Sequence, residues 1–189
     1  MRIAFLTYSM TGGGAERVIA ETANYFSRVY KDEVWILELS DTDSAYPLNP
    51  EIHLVRMKIA RESRNVLDSV GNFLSYQKTI RRFVREQQIE VLISSSVKHG
   101  VTVKLGMPWL KVIGSEHSNP YMAARGRGER VTRFLSPVMD GCIFLTQGAK
   151  QYYPAALGKK SRVIHNAVYL DSHALKPLQN GITIIYLQL

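Results

Sequence analysis

The sequence predicts an α/β fold built on a doubly wound, mainly parallel sheet. Three observations carry that reading. The chain opens on an apolar run, Ile-Ala-Phe-Leu-Thr-Tyr at residues 3–8, of the kind buried on both faces of a sheet. Three glycines follow at Gly12, Gly13 and Gly14, and then Ala15, Ile19, Ala23 and Phe26 recur at helical spacing. Short β-rich runs then alternate with helical segments along most of the 189 residues, which is the pattern of a parallel sheet covered on both faces.

The elements follow in order. After the opening strand and its helix at residues 15–26, residues 34–39 read as a second strand. Residues 41–50 hold two prolines and many polar side chains and read as a loop, and 52–55 as a short third strand. Residues 60–67 have no clear period and read as a mobile connection. Phe73, Gln77, Ile80 and Val84 are spaced four, three and four apart, predicting a helix over 73–86. Residues 91–94 give a fourth strand, 97–106 a helix stopped by Gly106 and Pro108, and 111–115 a fifth strand. A loop is expected at 116–124 and a helix at 129–139 despite Pro137. A sixth strand follows at 141–145, a short helix at 147–153 ended by Pro154, and a seventh strand at 161–164. The expected strand order is 3-2-1-4-5-6-7, with the first strand central.

Bulk properties narrow the class. The hydrophobic fraction of 46% is that of a globular protein. Cys142 is the single cysteine and lies in an apolar run, so it reads as a buried small hydrophobe in a reducing compartment. The five histidines are too scattered for a metal site, and no metal is expected. No leader or membrane-spanning run is apparent, so the expected location is cytoplasmic. The net charge of +8 is uneven: residues 1–60 carry 6 basic and 8 acidic groups, a net of −2, and residues 61–189 carry 18 and 8, a net of +10. Such asymmetry points to an anionic partner or to a solvated basic surface. Two segments combine basic and apolar residues. Lys78, Arg81, Arg82 and Arg85 follow Phe73 and Leu74, while Arg125, Arg127, Arg130 and Arg133 flank Val131, Phe134 and Leu135. Each fits either an anionic membrane surface or an amphipathic helix with its apolar side on the sheet.

In a parallel sheet, ligands bind beyond the carboxyl ends of the strands. That rule singles out residues 9–14, 94–96, 116–121, 146–147 and 165–166. Gly12, Gly13 and Gly14 lie at a strand-to-helix turn, where unpaired N–H groups and the helix dipole suit a phosphate. The spacing is neither the dinucleotide fingerprint nor a P-loop, and the same glycines also fit a turn that only permits tight packing. Residues 94–96 suit either acceptor binding or a helix cap, with the cap preferred.

Several stretches together resemble the N-terminal half of GT-B glycosyltransferases of family 4, the "group 1" retaining enzymes. They are residues 2–6 with Gly12-Gly13-Gly14-Ala15-Glu16-Arg17-Val18; Val112-Ile113-Gly114-Ser115-Glu116-His117-Ser118; Asp140-Gly141-Cys142-Ile143-Phe144-Leu145-Thr146 with Tyr152-Tyr153; and Arg162-Val163-Ile164-His165-Asn166-Ala167-Val168. The resemblance implies a Rossmann-like domain at 1–168 on the acceptor side, a linker at 169–181, and at 182–189 the first strand of a donor domain. There Gln188-Leu189 stands where the family usually continues with Gly-Arg. On that reading the chain is a fragment, and alone it is expected not to turn over a nucleotide sugar.

The implied activity is transfer of a sugar, as a hexosyltransferase, from a nucleotide-sugar co-substrate to a glycan or lipid-linked acceptor with retention, in cell-envelope polysaccharide synthesis. No further cofactor is implied. His117 is the implied catalytic residue, contacting the transferred sugar or orienting the acceptor; a structural role in its loop is the alternative. Gly12, Gly13, Gly14, Glu116 and Ser118 are the implied phosphate- or substrate-binding residues. Glu116 is either a base or a solvated loop carboxylate, and His165-Asn166 reads as a domain junction. The partners expected are a nucleotide sugar, the acceptor and the inner face of an anionic membrane, with no nucleic acid. Two other classes fit the same features: a non-catalytic nucleotide- or anion-binding α/β domain, and a GT-B sugar-nucleotide epimerase.

Overall fold

The computed structural model describes residues 1–42, 44–59, 66–123 and 126–166. Seven strands form one sheet: β1 (Arg2–Thr7), β2 (Glu33–Glu38), β3 (His53–Arg56), β4 (Val91–Ser94), β5 (Lys111–Glu116), β6 (Gly141–Phe144) and β7 (Arg162–Val163). Their order is β3-β2-β1-β4-β5-β6-β7, as the sequence predicts, and every pairing is parallel. The central place of β1 explains its continuous apolar run. Ile3 and Phe5 point to one face, Ala4 and Leu6 to the other, and all four are buried.

The helices divide unevenly between the two faces. The front face packs on α1 (Gly14–Tyr25) through Ile19, Ala20 and Ala23, and a five-residue π-helical turn, Phe26–Tyr30, extends that helix. The back face carries α2 (Val66–Glu86), α3 (Val97–Gly106), α6 (Gln147–Tyr152) and α7 (Ala155–Gly158). This follows from right-handed crossovers: connections running leftward from β1 pass in front, and those running rightward pass behind. The front of β4–β6 is therefore covered by no helix among the described residues. A groove of ≈ 480 Å³ lies there, lined by Phe5, Ile19, Phe26, Ile93, Ile113 and Ile143.

Several boundaries differ from the sequence reading, each for a local reason. Val66 and Leu67 belong to α2 rather than to a connection, while residues 60–65 lie outside the described residues. The strand β5 continues through Glu116, and Pro120–Ala123 (α4) forms a helical turn inside the expected loop. The helix α5 (Arg127–Leu135) ends before Pro137, and Ser136–Val138 tightens into a 3₁₀ turn that accepts the proline near its start. The helix α7 was not expected; it is a single turn after Pro154, too short for a periodic signal. The expected linker at 169–181 and strand at 182–189 lie outside the described residues.

Leu92 sits at the centre of the back-face core, fully buried between β1 and β5. Leu92→Ala is expected to destabilise the fold by about 2–5 kcal/mol, read as a lowered urea midpoint at unchanged slope.

Candidate functional site

The loops after β1, β4, β5 and β7 converge at the carboxyl edge of the sheet. They enclose a cleft of ≈ 390 Å³ whose lining includes Gly14, Glu16, Ser96, His117 and Asn166. Ser95, His117 and Asn166 also line the front-face groove, so the two cavities adjoin at the histidine.

The three glycines do different things. Gly12 has φ +122°, a conformation that L side chains rarely adopt, and a Cβ there would lie 3.4 Å from that of Ala45. Gly13 is the N-cap of α1 at φ −97°, and its carbonyl accepts from Arg17 N–H at 3.1 Å and from the Tyr46 hydroxyl at 2.9 Å. A Cβ on Gly13 would fall 2.2 Å from Glu16 Oε2, so the Glu16 carboxylate lies folded back across the turn. Of the three, Gly14 is the one that lines the cleft, and a Cβ on it would meet nothing within 4 Å.

Glu116, expected in a loop, is instead buried at the end of β5, 6% exposed. Both carboxylate oxygens are engaged. Oε1 accepts from Ser118 N–H at 3.1 Å and from the Ser118 hydroxyl. Oε2 accepts from the Tyr153 hydroxyl at 3.1 Å and from Val97 N–H at 3.4 Å. Burial, reinforced by the Glu116 charge, pushes the Tyr153 hydroxyl far above the usual range, which keeps it a donor. The carboxylate thereby ties the start of α3, the residue after α6 and the His117 loop together. Ser118 is held within that knot.

His117 follows Glu116 out of the sheet. Its Nε2 lies 2.8 Å from the Ser115 hydroxyl, and its Nδ1 is buried without a hydrogen-bond partner among the described residues. Burial lowers its pKa, opposed by the nearby Glu116 and Glu16 charges, so the imidazole is neutral at pH 7. Ser96 acts as the expected helix cap, accepting from His99 N–H at 3.3 Å, and Ser94 bonds the Ser96 carbonyl at 2.9 Å. His165 lines the groove alongside Asn166, just past β7.

Sequence reasoning passed over Glu16 and Tyr153. The signal for Glu16 was present: an acidic residue three places after a glycine N-cap, in the first turn of a helix. Tyr153 carried none, because its role depends on a strand 37 residues away.

The neighbouring His99 offers a test of pH dependence. Burial, with a smaller contribution from Lys98, pushes its pKa down to about 4, and its Nδ1 has no partner among the described residues. The unfolded chain binds this proton at its ordinary value of 6.5, the folded chain at about 4. Between the two the unfolded state binds more protons, so stability falls as pH drops through that window, by up to about 3 kcal/mol. Urea unfolding at pH 7 and at the acid end of the window should register the loss, and His99→Leu should flatten it.

Among the described residues, no group of three or more His, Cys, Asp or Glu side chains is placed to hold a metal ion. No helix among them is long and apolar enough to cross a membrane.

The model of Glycosyltransferase Family 4 matches residues 12–172. No curated protein matches the chain by sequence. Among solved structures, the apo form of the lipopolysaccharide outer core galactosyltransferase WaaB superposes with a TM-score of 0.68 at 15% identity, over 91% of this chain and 47% of that one. Sucrose-phosphate synthase from Thermosynechococcus elongatus gives 0.63 at 11% identity, over 87% and 48%. HepE of Anabaena, solved with UDP and glucose, gives 0.61 at 16% identity, over 89% and 45%. The chain thus spans about half the length of each of these structures.

Proposed function

Because this chain belongs to Glycosyltransferase Family 4, we propose that it forms the acceptor-side half of a retaining glycosyltransferase of GT-B architecture. The enzyme moves a hexose from a nucleotide sugar to a glycan or lipid-linked acceptor in cell-envelope polysaccharide synthesis. The observation that carries this reading is the convergence of four strand-end loops on His117, at the carboxyl edge of an all-parallel sheet.

Each part then has work to do. The neutral imidazole of His117 hydrogen-bonds the transferred sugar or the acceptor hydroxyl. Its Nε2 is steadied by Ser115, and its loop is anchored by the Glu116–Ser118 contacts. The donor is gripped by a second lobe facing this one. The HepE structures solved with UDP and with UDP-glucose support a nucleotide sugar as donor.

The test pairs the two-lobed enzyme with a panel of nucleotide hexoses and envelope-type acceptors. Products are identified by mass spectrometry, and the new anomeric centre by NMR. Transfer with retention is the expected result. Inversion, release of a free epimerised nucleotide sugar, or no transfer with any pair would overturn the reading.

Peripheral contact with an anionic membrane, at the cytoplasmic face, belongs to the same proposal, and α4 and α5 carry it better than α2. In α2 the apolar residues beside the arginines, Ile80 and Val84, face the core, while the exposed Phe73 and Leu74 lie in the first half of the helix. Arg81 and Arg85 lie over the Trp109 ring at 5.1 and 5.2 Å, and Arg82 pairs with Glu86. In α5 the pattern is reversed: Thr132 is buried, while Val131 is 55% and Phe134 79% exposed beside Arg130 and Arg133. Tyr152 bridges this face to α4, with Arg133 over its ring at 4.5 Å and the Tyr121 ring 5.0 Å away, and the adjacent Met122 is 79% exposed. Phe134→Asp should reduce sedimentation with phosphatidylglycerol vesicles several-fold, while Leu74→Asp in α2 leaves it unchanged.

A further inference from the structure

The cleft beside His117 has an electrostatic character that a phosphate cradle lacks. Among the described residues, its lining includes two carboxylates, Glu16 and Glu116, and no lysine or arginine. Glu116 is spent on four hydrogen bonds. Glu16 has no hydrogen bond or ion pair to any described side chain, and it lies across the turn that an anion would otherwise approach. The adjoining groove repeats the pattern, with Glu21 in its lining and no lysine or arginine. An incoming phosphate would meet the Glu16 charge head-on, in a partly enclosed site where like charges repel strongly. A sugar hydroxyl would instead find a carboxylate acceptor, an imidazole at His117, and the amide of Asn166.

We propose that this cleft receives an uncharged, hydroxyl-bearing sugar of the acceptor, with Glu16 accepting its hydroxyl protons and excluding phosphorylated sugars from the same place. The inference rests on the transferase reading and adds the chemical class of acceptor to it. It also gives the glycine turn a second purpose. The missing side chain at Gly13 makes room for the Glu16 carboxylate. The turn therefore presents a hydrogen-bond acceptor as well as the open backbone at Gly14.

The experiment is a titration of the isotope-labelled chain, followed by NMR at the Gly14, Glu16, His117 and Asn166 signals. The probes are D-glucose and D-galactose, their 6-phosphates and 1-phosphates, and inorganic phosphate. The neutral hexoses are expected to shift these signals, and the phosphorylated forms to bind about tenfold or more weakly. Glu16→Gln should bring that ratio close to one, and Glu16→Lys should reverse it. Phosphates that bind as well as the neutral sugars would overturn the proposal. So would a preference that survives Glu16→Gln, or the lack of any response to neutral hexoses. Because the readout is binding to this chain alone, it stands apart from the transfer assay. A failed transferase reading would appear as no transfer while the binding ratio and its dependence on Glu16 persist.

Discussion

Replacing Gly13 with valine is expected to lower sugar transfer by about 10²-fold while leaving the fold standing. The backbone permits the change, because φ at Gly13 is −97°, well within reach of a β-branched residue. What stands in the way is a side chain: the new Cβ would fall 2.2 Å from Glu16 Oε2. Glu16 is flexible and will swing aside, so the steric cost is small. The displaced carboxylate then no longer lies across the turn, and the two valine methyls crowd the space in front of α1. Losing a glycine N-cap to valine adds about 1 kcal/mol of destabilisation, a fall of a few degrees in melting temperature for a domain of this size. Circular dichroism and a melting curve establish that the variant folds, and a transfer assay reads the loss. Full activity in a folded Gly13→Val protein would remove the turn from the mechanism. Gly12 makes the contrasting control: at φ +122° even alanine is strained, so Gly12→Ala should cost stability as well as activity.

His117→Ala is expected to cost between about 10² and 10³ in kcat, with a smaller change in KM. The imidazole leaves the sheet at the meeting point of both cavities, and among the described residues it is the one histidine that lines both. The pH profile supplies a second readout. Burial holds the His117 pKa below its ordinary value, against the pull of Glu116 and Glu16. The neutral ring is therefore retained to a lower pH than in an ordinary histidine, and activity falls as pH drops through that lowered pKa. Glu16→Gln removes one of the two charges that raise it, so the acid limb should move to lower pH. An acid limb indifferent to both substitutions would assign it to another group.

The strand order was legible because it follows from local facts. The alternation of β-rich and helical runs demands crossovers, crossovers in parallel sheets are right-handed, and the run at residues 3–8 is apolar on both faces and so belongs at the centre. The position of His117 was legible for the same reason, since strand ends are where such sheets place ligands. The burial of Glu116 was not. Read locally, it is a charge after a strand, and its partners Val97 and Tyr153 lie 19 and 37 residues away. The outward face of α5 was equally hidden: Val131 and Phe134 carry the spacing of a core stripe, yet Thr132 is the residue turned inward. In the glycine turn the residue types were informative but their division of labour was not. Backbone torsion at Gly12, side-chain room at Gly13 and open space at Gly14 are properties of three dimensions.

The topology also sets a timetable for synthesis. Of the seven strands β1 leaves the ribosome before the others, yet its two neighbours are β2 and, much later, β4, where Ile3 pairs with Val91 and Leu6 with Ser94. At about 5–20 residues per second, the nascent strand waits on the order of 4 to 20 s for its second edge to be closed. Throughout that interval Ile3, Phe5 and Leu6 have only one side of the sheet to lean on. Contacts so distant in sequence form slowly. A strand that ends buried on both faces is thus the one exposed longest to chaperones and to misassociation. A pause introduced in translation just before residue 91 should lower soluble yield more than a pause of equal length placed after β4.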